Sequence, residues 1–245
     1  MVNYSNVSAR AMLVSLHIAV WNAQRFDADG SREVTDRKAA DASSGRFNKH
    51  LFGTRRAGRQ IAPEFFSVLD AAEALRNLHD RETLPWAKRD GERLLPTANY
   101  MSYTDAVRKA GAAFTGAADE FVEAYPRLQV EAVSRLGKLY RDADFLPSGV
   151  VRRRFSWETS FMPVPSAGDI RVDLPGDQIS AIERQVTVRV EEAVREAMDD
   201  GWRRLHDAVA RIRKATGSDG IVRGTLIENA RAVCDVLVRL NVAQD

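Results

Sequence analysis

The chain has 245 residues, 44% hydrophobic and 29% charged, which is enough apolar content for a sizeable core and argues against a chain that stays disordered. Its 36 basic and 34 acidic groups leave a net charge of +2, which by itself points to no polyanionic partner. The single cysteine, Cys234, excludes an intrachain disulfide framework and any Cys-x-x-Cys metal or redox site.

The chemical signatures of common enzymes are absent as well. The four histidines, His17, His50, His79 and His206, show no His-Glu-x-x-His spacing, and neither Gly-x-x-x-x-Gly-Lys nor Gly-x-Ser-x-Gly occurs. No apolar run approaches the roughly 20 residues needed to cross a bilayer, and the opening MVNYSNVSARAM lacks a charged-then-apolar leader pattern. A soluble cytoplasmic protein, with no membrane contact, no metal and no cofactor, is the expectation.

The first predicted element is a strand over 13–21, where Val14, Leu16, Ile18 and Val20 alternate with Ser15, His17, Ala19 and Trp21. Asp27, Asp29 and Gly30 read as a turn, and 31–45 as a surface helix with a weak apolar face. Between Asp41 and Glu64 there is no acid, yet Arg46, Lys49, Arg55, Arg56 and Arg59 all fall there; the stretch carries +5 and leaves −3 for the rest. Its glycines suggest a loop or short helical pieces, with Phe47, Leu51 and Phe52 as anchors. Pro63 then opens a helix expected to reach about Asp80. The segment 83–97 reads as a β-hairpin turning at Asp90-Gly91, with Pro85 and Pro96 marking an edge.

A long helix is predicted over 104–141, where Val107, Ala110, Phe114, Ala117, Phe121 and Tyr125 recur at steps of three and four. Leu128, Ala132, Leu136 and Leu139 keep the same phase beyond Pro126, favouring one helix kinked there over two helices. A β module over 142–174 follows, with alternating FSWETSF (155–161) pairing with IRVDL (170–174). A second long helix spans 178–216, with Asp177 as N-cap and an apolar stripe through Ile179, Ile182, Val186, Val190, Ala193, Ala197 and Gly201. Arg204 interrupts the stripe, and Glu191–Arg195, Asp199–Arg203, Asp200–Arg204 and Asp207–Arg211 are spaced as i,i+4 ion pairs. A C-terminal helix over 224–242 opens on a Thr225-x-x-Glu228 capping box, with Cys234 beside its apolar face as a small buried residue.

These elements predict a mainly helical α+β fold in a single elongated domain. A β- and loop-rich part (1–103) leads into the long helix, the β module, the second long helix and the C-terminal helix. The two long helices, each about 57 Å at 1.5 Å per residue, are expected to form a coiled-coil-like antiparallel hairpin with a small antiparallel sheet at one end. Ala110, Ala117, Ala193, Ala197 and Gly201 would allow close approach.

Four segments taken together, LVSLHIAVWNAQRFD, GRFNKHLFG, LPW…DGERLLPTANY and FSWETSFMPVPSAGDIRVDL, resemble a bacterial and bacteriophage family called domain of unknown function 3150. No catalytic residue comes with the resemblance. It implies a protein of a phage or mobile element acting in the bacterial host cytoplasm, encoded near a MoxR-like AAA+ ATPase and a protein with a von Willebrand-type domain, hence an adaptor or substrate of such a machine.

The leading functional expectation is a non-enzymatic interaction or assembly protein, with a second copy or another protein as partner. The alternative is a nucleic-acid-binding accessory protein that uses Arg46, Lys49, Arg55, Arg56 and Arg59 together with Arg152, Arg153 and Arg154 on phosphates, and Phe47, Phe52 and Trp21 on bases. Acid–base chemistry from Asp142 and Asp144, or from Glu158 near His17, is the third reading, weighed against the ordinary solvation of surface carboxylates. The four tryptophans, Trp21, Trp86, Trp157 and Trp202, are expected in the core.

Overall fold

In a computed structural model, residues 7–38, 47–87, 91–170, 172, 174–218 and 234 are described. The elements in chain order are α1 (Val7–Arg10), β1 (Ala11–Ala19), β2 (Gln24–Phe26), α2 (Ala28–Lys38), β3 (Asn48–His50), α3 (Arg55–Ile61) and α4 (Pro63–Glu82). They continue with β4 (Leu84–Pro85), β5 (Glu92–Pro96), α5 (Tyr100–Leu136), α6 (Ser148–Arg152), β6 (Ser156–Pro163) and α7 (Gly176–Ser218). The fold is mainly helical α+β, with two long helices and a four-stranded antiparallel sheet, as the periodicities require.

The sheet runs β4-β5-β1-β6, and β1 pairs antiparallel with β5 from Ala11 opposite Pro96 to Ser15 opposite Glu92. Because β1 is an inner strand, Leu13, Val14 and Ser15 are all buried, and the in–out alternation read from its sequence survives only beyond them. The hairpin over 83–97 forms as β4 and β5, with Gly91 at φ +105° in its turn. Among the described residues the partner expected for FSWETSF is not a strand: Ile170, Val172 and Leu174 lie outside any strand, and β6 instead lies beside β1, where Ser15 and Ser160 share a hydrogen bond of 2.7 Å. A second, two-stranded sheet of β2 and β3, which the sequence does not announce, pairs Gln24 with His50.

The chain divides into two units. One comprises Met1–His17, Arg76–Arg108 and Glu158–Asp245; the other comprises Ile18–Leu75 and Lys109–Trp157. In the first, α7 lies against β4, and Ala193, Val194 and Ala197 join Val7, Ala11, Leu13, Leu84, Trp86, Leu94 and Val164 in one apolar cluster. The small residues of α7 thus bring the helix close to the sheet. In the second, Phe52 is ringed edge-on by Trp21, Phe121, Tyr125 and Phe145, at centroid distances of 5.4 to 6.4 Å. There β6 reaches α5, and the Trp157 ring lies over Gly111 and donates from Nε1 to Thr115 at 3.3 Å.

Helix boundaries follow local chemistry. Asp27 caps α2, its Oδ1 accepting the Gly30 N–H at 2.8 Å, where the sequence reads a turn. α5 continues through Pro126 as one helix and ends at Leu136 rather than 141, because Gly137 takes a left-handed φ of +51°. α7 starts at Gly176, which puts Asp177 inside its first turn rather than at the cap. The expected C-terminal helix over 224–242 lies outside the described residues apart from Cys234, which is helical and exposed rather than buried.

Candidate functional site

The basic stretch divides into one buried cation and several exposed ones. Lys49, on β3, is 3% exposed and makes ion pairs with Asp27 at 2.9 Å and Asp144 at 2.6 Å, while also donating to the Leu139 carbonyl at 2.7 Å. The Gly30 amide, followed by the Lys49 ammonium, holds the Asp27 carboxyl below its ordinary pKa. Burial alone would depress the Lys49 ammonium, but the Asp144 and Asp27 carboxylates outweigh it and its pKa is raised. This is a closed structural cluster, and Lys49 cannot present its charge to a phosphate.

On α3, Arg55 reaches Asp70 and Glu73 of α4, and Arg59 pairs with Asp70 at 2.7 Å. Arg152 pairs with Asp119 at 2.5 Å and donates to the Phe155 carbonyl. Arg55, Arg56, Arg59, Arg153 and Arg154 are exposed and Arg152 is half-buried, whereas Arg46 lies outside the described residues. Of the aromatics offered for base stacking, Trp21 and Phe52 are buried in the core, and Phe47 is half-buried.

The acid–base candidates fall in two places. Asp144 is taken by Lys49, and Asp142 accepts from the Tyr140 hydroxyl at 3.1 Å. His17, on β1, and Glu158, on the neighbouring strand β6, are both exposed. Among the described residues, no group of three or more His, Cys, Asp or Glu side chains is placed to hold a metal ion, and no helix is long and apolar enough to cross a membrane.

A buried polar cluster that sequence reading missed sits in the first unit. His79 Nδ1 and the Tyr103 hydroxyl share a hydrogen bond of 2.8 Å. Burial, aided by the nearby Arg93 guanidinium, lowers the His79 pKa to about 4, and burial raises that of Tyr103. Arg93 and Arg204 converge on the C-terminal end of α4: Arg93 donates to the Asp80 and Thr83 carbonyls, and Arg204 to those of Arg81 and Thr83. That contact, with the Asp200 ion pair at 2.7 Å, explains the arginine that interrupts the apolar stripe of α7.

The feature that stands apart is the outward side of α7. Val188, Trp202 and Val209 are 51%, 58% and 56% exposed. At about 100° per residue, Trp202 lies opposite the buried Ala193. Met198, half-buried against the core, and Leu205, also half-buried, complete a row Met198–Trp202–Leu205–Val209 with steps of four, three and four. Following only the buried stripe hides this row. The expectation that all four tryptophans are in the core therefore holds for Trp21 and Trp86 but fails for Trp202.

No protein-family model, curated protein or solved structure matches the chain, so the resemblance noted above rests on its quoted segments alone.

Proposed function

We propose that this chain is a non-catalytic interaction or assembly protein that engages its partner through the outward side of α7. The observation carrying the reading is the exposed apolar row around Trp202, on a helix whose opposite side is already packed on the sheet. Exposed aromatic and aliphatic side chains that persist in line on one element mark association surfaces, and tryptophan is the residue type most enriched at their energetic centres. The phage or mobile-element setting and the AAA+ ATPase machinery implied by the resemblance supply a candidate class of partner. The nucleic-acid alternative loses Lys49, which is buried between carboxylates, and keeps Arg55, Arg59 and Arg152 only in weak surface ion pairs.

Affinity capture with the full chain tests the reading, with a Trp202→Glu/Val209→Glu variant run in parallel. Both substitutions lie on exposed positions and should leave the helical circular dichroism intact. At least one protein, which can be this chain itself, should be retained by the unsubstituted bait and lost from the variant. Identical recoveries from the two baits would refute the assignment of α7 as the partner surface.

A further inference from the structure

Resting on that reading, we infer that the partner seated on the outward side of α7 is a second copy of the same helix, running antiparallel. Two features of the row select this occupant. The first is its spacing: Met198, Trp202, Leu205 and Val209 occupy alternating core positions of a heptad pattern, the geometry in which one helix receives the side chains of another.

The second is charge. One flank of the row carries Glu192, Asp199, His206 and Arg213 at seven-residue intervals, all of them exposed. Its first half is acidic, and its second half carries the guanidinium of Arg213 and the imidazole of His206, a hydrogen-bonding partner for a carboxylate. In an antiparallel pair this flank meets the same flank of the other copy, running in the opposite direction. Asp199 then faces His206 of the second copy, and Glu192 faces Arg213 (which also has an interaction within its own chain). The same register puts Trp202 against Leu205 and Met198 against Val209, so the apolar layers and the charge pairs agree on one alignment. A parallel pair would set the charged flank against the other flank, where Gly201 and Ala208 offer no charge and Val194 is already buried in the chain's own core. The opposite flank suits the antiparallel arrangement too, since Gly201 faces Ala208 and both are small.

The test uses two charge-reversed forms of the full chain, Glu192→Lys/Asp199→Lys and His206→Glu/Arg213→Glu, followed by sedimentation and light scattering. The unsubstituted chain should be dimeric at tens of micromolar. Each reversed form alone should self-associate at least ~10-fold more weakly, because like charges then meet across the pair. An equimolar mixture of the two should recover the dimer as a heterodimer, since every flank contact becomes complementary. Trp202→Glu/Val209→Glu should be monomeric.

An unsubstituted chain that remains a monomer overturns the inference, as does a dimer that survives Trp202→Glu/Val209→Glu or a mixture that fails to recover. If the chain is monomeric yet captures a different protein that the Trp202→Glu/Val209→Glu variant loses, self-pairing fails while the interaction reading stands. If the chain is monomeric and the two baits recover the same proteins, both fall.

Discussion

His79 shows how a single buried group can set the pH response of the fold. Its imidazole is sequestered against the Tyr103 hydroxyl, with Arg93 nearby, and its pKa drops from 6.5 to about 4. Between those values the unfolded chain binds a proton that the fold refuses, so stability rises with pH across the window and is lost on acidification. Its contribution is complete above the unfolded value of 6.5 and is withdrawn as pH falls towards 4, by up to ~3 kcal/mol. His79→Gln retains a polar partner for Tyr103 but does not titrate. Urea denaturation at pH 7, 5.5 and 4.5 should show the difference between the unsubstituted chain and His79→Gln changing across the window, with the flatter profile in the variant. Parallel profiles would assign the acid sensitivity to other groups. Lys49 teaches the complementary lesson about legibility. Counting charge in a window correctly finds a basic stretch, but the carboxylates that consume this lysine come from positions 27 and 144, and no local count can see them.

At the scale of elements, helices were legible because their signal is local. The starts and ends of α4, α5 and α7 fall within a few residues of their periodic patterns, and the main departure, the early end of α5, comes from the left-handed Gly137. The strands β1 and β6 and the local hairpin of β4 and β5 were legible, but the short β2 and β3 and the pairing of β6 with β1 were not. Alternation identified β1 and β6, whereas placing β6 beside β1 depends on a contact between residues such as Ser15 and Ser160, far apart in sequence. The helix-to-strand contact at Gly111 makes this argument measurable. A Cβ there would lie 2.1 Å from the Trp157 ring, whereas one at Gly116, on the same helix, would meet nothing within 4 Å. Gly111→Ala should therefore destabilise the chain by about 1–3 kcal/mol through overpacking, with a change in tryptophan emission. Gly116→Ala should stabilise it by about 0.5–1 kcal/mol, the ordinary helix preference for alanine. Chemical denaturation of the pair checks both signs. Equal effects at the two sites would mean that Trp157 does not lean on the helix.

At the scale of the whole molecule, the division into two units follows no linker. The chain passes between them within β1, α4, α5 and β6, so each passage falls inside a regular element rather than between elements. Unfolding one unit alone would require ending α4 and α5 partway along, stranding several backbone N–H and C=O groups at each new helix end. Helix propagation is cooperative, which raises the cost of such a break further. The two units should therefore unfold together even though each has its own apolar cluster. Two tryptophans report on the clusters separately, Trp21 in one and Trp86 in the other. A form retaining only Trp21 and a form retaining only Trp86, with the remaining tryptophans changed to phenylalanine, allow fluorescence to be compared with far-ultraviolet circular dichroism in each. The expected result is coincident fluorescence and dichroism transitions in both forms, whatever stability the substitutions themselves remove. If either tryptophan becomes exposed at a denaturant concentration where most of the helical signal remains, the passages within α4 and α5 act as breakpoints and the units are thermodynamically separable.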